Sequence, residues 1–576
     1  MISPLHQTAL NSPEATAIQL PKNSRHYAWL NHHETANNTV IHHAASHGTI
    51  SISYLQLSQI VSNLVESLQA QGVSRDSRIA CISSNNLEMI CLYWACVDIG
   101  AIFLPISPRF PISQVAELCQ RFEIDYFWFE TINAEVTSDN STHKIAEPEL
   151  AGITQLKLEL AVTLTHELTN KSYNDKHTTS KPTVDADKPL NIILTSGSSG
   201  RPKGVVHCLA NHIASASGSA KNIPLTLNDS WLLSLPLFHI GGLAIINRCA
   251  LAGAAVVLSS KQALWQQITD AEVSHVSLVA AQLTEILAQH PQALDRVKAL
   301  LLGGGAIEPH LVSALADRHI NAYCSYGMSE MSSQITTALI NPQGHLGKPL
   351  ANRQLTIRDS AIWVKGECLF LGYLANGLNE ESSESNKLLS LSKPTDEQGW
   401  FNTQDLGELD VDGNLHLLGR ADNMFICGGE NIHPEEIEAA IKAYPSVENA
   451  IVFAQEDLKF SLLPAAIIQL KASEQLNSPA TSDIETTKLV SEDSESEDSE
   501  AKTTDAQTTE TQTSENRVTT ISAAKINAIE ALVLTKIARF KRPRHYYTWP
   551  NDVVTTGLKI PRKAIIAAVK QRIAKS

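Results

Sequence analysis

The chain has 576 residues, a formal net charge of −15 and 43% hydrophobic side chains. It can bury sizeable cores but is too long for a single one, so at least two domains are expected. No run approaches the roughly 18 apolar residues of a membrane span, no basic surface points to nucleic acid, and about half of the acidic excess sits in residues 471–520, with 12 Asp/Glu against 4 Lys/Arg.

The opening "MISPLHQTALNSPEATAIQL" lacks a basic n-region and an apolar h-region, so secretion is not expected. Nine cysteines scattered from Cys81 to Cys427 show no CxxC spacing, which suits reduced thiols in a cytoplasmic protein. From about residue 50 to 130, helix and strand alternate. "YLQLSQIVSNLVESLQAQG" has helical spacing and ends at Gly72, and "SRIACIS" reads as a strand. "LEMICLYWACVDIGAIFLPIS" reads as an apolar helix running into another strand. Residues 136–188 are polar and irregular.

"LTSGSSGRPKGVVH" (194–207) follows the apolar run Ile192, Ile193, Leu194. Glycines let backbone N–H groups approach an anion, while the hydroxyls of Thr195, Ser196, Ser198 and Ser199 and the charge of Lys203 add donors around Gly197 and Gly200. The stretch reads as a phosphate loop, with a solvated Ser/Gly linker as the alternative. It is not a Walker loop, which needs Gly-Lys followed at once by Ser or Thr; here Lys203 lies between Pro202 and Gly204.

Beyond it, "SWLLSLPL", "AAVVLSS", "SHVSLV", "VKALLLGGG" and "INAYCSYG" read as strands with helical stretches between several of them. That alternation predicts a parallel sheet with helical crossovers and ligands at the C-terminal strand ends. "LLGGGAIEP" places Gly303, Gly304 and Gly305 after a strand, with Pro309 opening a helix. In "YGMSEMSSQIT", Tyr326 could stack on a base, Ser329 donate to a phosphate and Glu330 hold Mg²⁺ through hard oxygens. In "GWFNTQDLGELDVDGNLHLLGRADNMFICGGENIHPEEIE", Asp405 and Arg420 suit two ribose hydroxyls.

A smaller unit begins near Asp422. Pro434, Glu435 and Glu436 mark a helix start, "AIVFAQ" and "PAAIIQL" read as strands, and "TISAAKINAIEALVLTKI" reads as a helix. Between them, about 473–518 is an acidic tract whose composition cannot support a packed core, so a disordered insertion is expected.

Together these stretches resemble the acyl-adenylate-forming superfamily of acyl- and aryl-CoA ligases, peptide-synthetase adenylation domains and luciferases. The resemblance covers roughly residues 20–470 and 520–570, with the motifs in the family's order. It implies an α/β and α+β architecture: a large N-terminal domain of stacked αβ sheets with a barrel-like portion (1–421), then a small mobile α+β domain (422–576) hinged at Asp422. It further implies that 195–204 grips the β- and γ-phosphates of ATP. Tyr326 would pack on adenine, Ser329 reach the α-phosphate, Glu330 bind Mg²⁺, and Asp405 and Arg420 fix the ribose. The catalytic lysine matches Lys559 in "TTGLKIPRKAI", with Lys563 as a rival because Leu558 is inserted after Gly557. Gln404 stands where the family usually has glycine, and would be strained if the turn needs positive φ.

The implied reaction has two halves: acyl-AMP formation from a carboxylic acid and ATP, then thiol attack by coenzyme A. In the second half the small domain withdraws Lys559 and presents "CGGENIHP", with Gly428 and Gly429. His239 matches the position gating the path between thiol channel and acyl pocket. The branch most resembled activates o-succinylbenzoate for menaquinone synthesis. Arg248 interrupts the apolar run Leu243–Ala254, and a buried guanidinium needs an anionic partner, which the second carboxylate of that acid would provide. Ser277 and Gln282 would complete the polar contacts. A snorkelling or structurally paired arginine is the alternative for Arg248. For the chain, the alternatives are a ligase of another aryl or medium-chain acid and a catalytically dead nucleotide sensor. Oligomeric state is left open, a homo-oligomer included.

Overall fold

The computed structural model describes residues 1–21, 49–130, 150, 152–158, 160, 182–195, 202–303, 309–374, 389–421, 423–427, 430–457, 461–471, 521–537, 541–550, 553 and 560–573. The expected acidic insertion, 473–518, lies outside these. The chain divides into two compact units. One is Met1–Ile357 with Trp363–Asn402 and Leu409–His416; the other is Arg358–Ile362 with Thr403–Glu408 and Leu417–Ser576.

In the first unit, β1 (Thr16–Pro21) and β2 (Thr49–Ser53) form an antiparallel edge of a nine-stranded sheet. The chain then builds most of an eight-stranded sheet from β3 (Arg78–Ile82), β4 (Ile102–Ile106), β5 (Tyr126–Phe129), β6 (Thr154–Gln155), β7 (Pro189–Thr195) and β8 (Lys203–Cys208). It returns to the first sheet with β9 (Ser230–Leu232), β10 (Ala255–Val257), β11 (His275–Leu278), β12 (Ala299–Leu302), β13 (Ala322–Met328), β14 (Ser333–Leu339) and β15 (Lys348–Pro349). Next come β16 (Arg353–Arg358) and β17 (Ala361–Gly366). The edge strands β18 (Gly372–Leu374) and β19 (Leu391–Ser392) complete the eight-stranded sheet.

Both large sheets are parallel at the centre and antiparallel at an edge. The first runs β15-β14-β13-β12-β11-β9-β10-β1-β2, the second β19-β18-β8-β7-β4-β3-β5-β6. Strands β3 and β4 are buried at every position, as parallel strands covered on both faces must be. Helix Tyr54–Ala70 starts in a capping box, Gln56 N donating to Ser53 Oγ and Ser53 N to Gln56 Oε1. Helix Leu87–Ile99 is capped by Asn86 and stopped by Gly100 at φ +79°. It is apolar all round and therefore buried all round. These helices and Ile240–Ala252 share one hydrophobic core with residues of both sheets, among them Ile18, Leu20, Ile79 and Phe103.

The structure corrects one expectation. The strand expected over "SWLLSLPL" ends at Leu232, because Ser234 N already turns back to Leu232 O and Pro236 has no N–H to pair. The strand after the glycine-rich stretch, β8, pairs antiparallel with β7. Of the polar stretch 136–188, only β6 is a strand among the described residues.

A four-stranded sheet, ordered β16, β17, β20 (Phe401–Leu409) and β21 (Leu415–Arg420), contributes residues to both units. The second unit continues with the hairpin β22 (Phe425–Cys427) and β23 (Glu430–Ile432), then β24 (Val447–Asp457), β25 (Ser461–Leu470) and β26 (His545–Thr548). Strict alternation gives its three-stranded sheet two apolar faces. Ala450, Val452, Ala466 and Ile468 pack with helices Pro434–Lys442 and Ala523–Leu534. Ile451, Phe453, Ala465 and Ile467 pack with helix Arg562–Ile573. Pro434 stands in the first turn of its helix, as its fixed φ favours.

Candidate functional site

The strands on either side of the glycine-rich stretch pair antiparallel: Leu194 with Gly204 and Thr195 with Lys203. Residues Ser196, Gly197, Ser198, Ser199 and Gly200 lie outside the described residues. A Walker loop joins a strand to a helix; this one joins two antiparallel strands, so topology and sequence agree in separating the two. Lys203 is exposed, with Nζ 4.9 Å above the Tyr373 ring. β18 brings Tyr373 there by pairing with β8, Tyr373 opposite Val205.

Tyr373 joins this hairpin to the acidic loop. Its hydroxyl donates to Glu330 Oε1 at 2.7 Å, and Glu330 is 8% exposed on a 3-10 turn, Ser329–Met331. Phe370 N donates to Glu330 O at 2.8 Å. His207, on β8, donates from Nε2 to Ser329 O at 2.6 Å. Its Nδ1 accepts from Asn191 Nδ2, and Asn191 Oδ1 accepts from His212 Nε2 at 2.7 Å. The carbonyl partner sets the tautomer of the first histidine, and the amide hands that choice to the second. Burial pushes the His207 pKa down to about 4, with the Ser329 carbonyl opposing it. Burial and the neighbouring His207 hold His212 well below its usual value. Both imidazoles are neutral at neutral pH and serve as rigid struts beneath Ser329.

The chain also bends on either side of that turn. Gly327 sits at a bulge where a Cβ would lie 2.1 Å from Ser333 O, so only glycine fits. Ser332 at φ +52° and Ser333 at φ +113° bend the chain into β14. Ser333 Oγ then accepts from Arg248 Nη2 at 3.3 Å, and Gln334 Oε1 accepts from the same nitrogen at 2.7 Å. Arg248 is 5% exposed and its guanidinium lies 5.2 Å from the Trp231 ring centre. Its Nε has no hydrogen-bond partner among the described residues. Burial first, and the Arg353 charge second, lower its pKa to about 10, so it stays a cation at neutral pH.

Arg353 is buried too, donating from Nε to Ala351 O, from Nη1 to Gln334 O and from Nη2 to Ser215 O. Among the described residues, no ion pair involves Arg248 or Arg353. Arg353 is thus held by main-chain carbonyls, whereas Arg248 keeps one donor, Nε, without a partner among the described residues.

The remaining expected residues fall in several places. Tyr326, on β13, is buried. Gly303 follows β12 beside Ser325, and Gly304 and Gly305 lie outside the described residues. His239 is the N-cap residue of helix Ile240–Ala252, its ring 4.9 Å from Phe238. The following "IGG" is explained by Gly242, where a Cβ would lie 2.2 Å from Pro236 O. Ser277 Oγ accepts from Trp231 Nε1 at 3.1 Å, so it orients the ring against Arg248. Gln282 Oε1 accepts from Val279 N and caps helix Ala280–Gln289.

In the second unit, Arg420 Nη1 donates to Asp405 Oδ1 at 3.0 Å; the arginine is half-exposed and the carboxylate nearly buried. Thr403 Oγ1 accepts from Asp405 N and donates to Ile362 O. Gln404 has φ +61°, the left-handed conformation that makes a non-glycine residue costly there. Lys563 is exposed in the first turn of helix Arg562–Ile573, while Arg562 donates to Glu438 Oε1 and Val452 O. Asp422, Gly428, Gly429 and Lys559 lie outside the described residues.

Sequence reading missed His207, Asn191, His212, Trp231, Gln334, Arg353 and Tyr373. His207 alone carried a local signal, as a histidine closing the buried run Val205, Val206.

The chain belongs to the family described as AMP-binding enzyme, which matches residues 31–374. Its similarity extends to named ligases. The 2-succinylbenzoate–CoA ligase of Listeria monocytogenes is 31% identical over 425 residues, 72% of this chain and 83% of that protein. The 2-succinylbenzoate–CoA ligase of Haemophilus influenzae is 28% identical over 517 residues, 89% of this chain and 92% of that protein. The fold is shared with the o-succinylbenzoate coenzyme A synthetase of Bacillus subtilis in complex with ATP and magnesium ion. The TM-score is 0.69 at 22% identity, covering 98% of this chain and 99% of that one.

Proposed function

We propose that this chain is an AMP-forming acid–CoA ligase whose acid is o-succinylbenzoate. Family membership and the named relatives support the ligase. The observation that carries the acid is Arg248, buried, without a carboxylate partner among the described residues, and bonded to Ser333 and Gln334 just beyond the turn that presents Glu330. A fatty or simple aryl acid loses its only carboxylate on activation and offers Arg248 nothing. o-Succinylbenzoate keeps its ring carboxylate for Arg248 while the succinyl carboxylate reacts.

Glu330 fits Mg²⁺. It is a hard oxygen donor in a buried turn, with one oxygen held by Tyr373, and Mg²⁺ is commonly held by one or two carboxylates together with substrate phosphates. When bound, the ion would neutralise phosphate charge. The chain's own groups do the rest in this reading. Thr195, the hairpin turn and Lys203 hold the β- and γ-phosphates. Tyr326 packs on adenine, Ser329 reaches the α-phosphate, and Asp405 and Arg420 hold the ribose. Neutral His207 keeps the Ser329 turn in place and moves no proton. The succinyl carboxylate attacks the α-phosphorus, pyrophosphate leaves, and Lys559 stabilises the charge that develops.

The domain exchange follows the same reading. Residues 1–421 form the nucleotide- and acid-binding domain and 422–576 the mobile one. Turning about Asp422 withdraws Lys559 and presents 427–434, including Gly428 and Gly429, to coenzyme A past His239. The thiol then attacks the acyl carbonyl and expels AMP. The nine buried, unpaired cysteines suit a reducing cytoplasm, and no helix among the described residues is long and apolar enough to cross a membrane.

The test is Arg248→Ala, assayed by pyrophosphate release with o-succinylbenzoate and with 4-oxo-4-phenylbutanoate, the same acid without its ring carboxylate. Loss of a charge-assisted pair in a desolvated pocket lowers kcat/KM for o-succinylbenzoate by about 30- to 1000-fold, with the KM for ATP little changed. The shorter acid is a poor substrate of the unaltered protein and loses little further. Equal impairment with both acids would make Arg248 structural and remove the argument for this substrate.

A further inference from the structure

Gln334 holds both buried arginines, and does so without charge. Its side-chain carbonyl accepts from Arg248 Nη2 and from Ser219 Oγ, each at 2.7 Å. Its amide nitrogen donates to Thr337 Oγ1 at 2.7 Å, and Thr337 in turn donates to Thr336 O at 2.8 Å. Those partners lock the amide with its oxygen toward Arg248, because a flipped amide would set N–H against N–H. The main-chain carbonyl of the same residue accepts from Arg353. Gln334 is 2% exposed on β14, so none of these bonds is shared with bulk water.

A buried arginine is ordinarily held by a carboxylate, which fixes its geometry and cancels its charge. Here the donors meet a neutral amide oxygen, the Ser333 hydroxyl and an aromatic face. The geometry is fixed and the charge is left over.

We propose that Gln334 is the charge-preserving positioning residue of the acid pocket, aiming Arg248 while leaving its positive charge for the ring carboxylate of the substrate. This rests on the substrate reading given above. A glutamate of nearly the same shape would complete an internal ion pair with Arg248, so the pocket would no longer attract an anion. An apolar residue of similar size would keep the charge but lose the aim. The role is therefore specific in chemistry and not only in shape.

The experiment compares Gln334→Glu and Gln334→Leu with the unaltered full-length protein, using o-succinylbenzoate and 4-oxo-4-phenylbutanoate with ATP and Mg²⁺. In Gln334→Glu, kcat/KM for o-succinylbenzoate falls about 100-fold, mainly through KM, because a competing internal carboxylate cancels the charge. Its KM for ATP and its use of 4-oxo-4-phenylbutanoate stay within about twofold, since neither calls on the Arg248 charge. Gln334→Leu loses about tenfold with o-succinylbenzoate and little with the shorter acid.

Unchanged o-succinylbenzoate kinetics in Gln334→Glu would overturn the proposal, as would an equal loss with both acids in both variants. If the glutamate variant does not fold, as judged by its melting curve, Gln334→Leu decides alone. A loss confined to o-succinylbenzoate supports the role, and an equal loss overturns it. Failure of the substrate reading shows elsewhere: the unaltered protein would not prefer o-succinylbenzoate over the shorter acid, and this inference would fall with it.

Discussion

The two ends of the loop 326–334 hold their charged groups by different means. At one end, Glu330 accepts a hydrogen bond from the Tyr373 hydroxyl, and the Lys203 ammonium lies over that same ring. At the other end, Arg248 is given shape by Gln334, Ser333 and Trp231 but no counter-ion among the described residues. On the function proposed above, the contrast fits what each end would have to meet. ATP brings several charges that metal, lysine and backbone share, so the protein there needs a fixed framework. A single carboxylate on the acid must be recognised against acids that lack it, and an unbalanced buried cation does this by making the wrong acid costly to bind. On that reading, specificity comes from a counter-ion left out, and the framework from hydrogen bonds that are made.

The largest effect expected on that comparison comes from the phosphate end. Lys559→Ala should lower acyl-AMP formation by about 10²- to 10³-fold, the usual cost of removing one preorganised donor from a developing negative charge. Both acids should suffer alike, unlike the acid-selective loss at Arg248, and coenzyme A transfer from preformed acyl-AMP should survive. Single-turnover assays of each half-reaction check this. A selective defect in Lys563→Ala instead would move the lysine to the rival register.

A smaller effect separates the ends by pH. With a folded-state pKa of about 4, His207 cannot take the proton that the unfolded chain accepts near pH 6.5. The native state then binds fewer protons, so stability is full above about pH 6.5 and falls as pH drops toward 4, by about 3 kcal/mol for this group alone. The guanidinium groups of the acid end do not titrate in this range, so acid weakens the framework end first. Melting temperature measured from pH 7 to pH 4 should fall less steeply in His207→Gln, whose amide can still donate to Ser329 O. Parallel curves would show that the histidine strut is not what acid attacks.

The smallest effect lies in the second unit. Gln404 at φ +61° carries the usual left-handed penalty of about 1–2 kcal/mol for a non-glycine residue. Gln404→Gly should raise the chemical midpoint of unfolding modestly, with KM values for both acids unchanged. A lower midpoint would mean that the contacts of the glutamine outweigh its strain.

Sequence by itself determined what is written in short segments. Pro434 announced the first turn of a helix, because its fixed φ is a local property. The apolar stretch 87–99 announced a buried helix, and the glycine-rich stretch and "SYGMSE" gave the places where phosphate and metal chemistry was expected. Gln404 even announced its own strain. The cost of Arg248 was legible too, since charge in an apolar run is costly wherever it sits, while an anionic ligand and a structural pairing both stayed open.

Only the tertiary structure decided who would stand beside it. Trp231, Gln334 and Arg353 reach that guanidinium from separate strands, and Tyr373 reaches Glu330 from 43 positions away. The antiparallel β7–β8 register likewise depends on strand pairing, which local pattern does not encode. Propensity and capping are local energies and can be read along the chain. The neutrality of the partners that hold Arg248 is a property of a shared space, and that space exists only once distant strands have met.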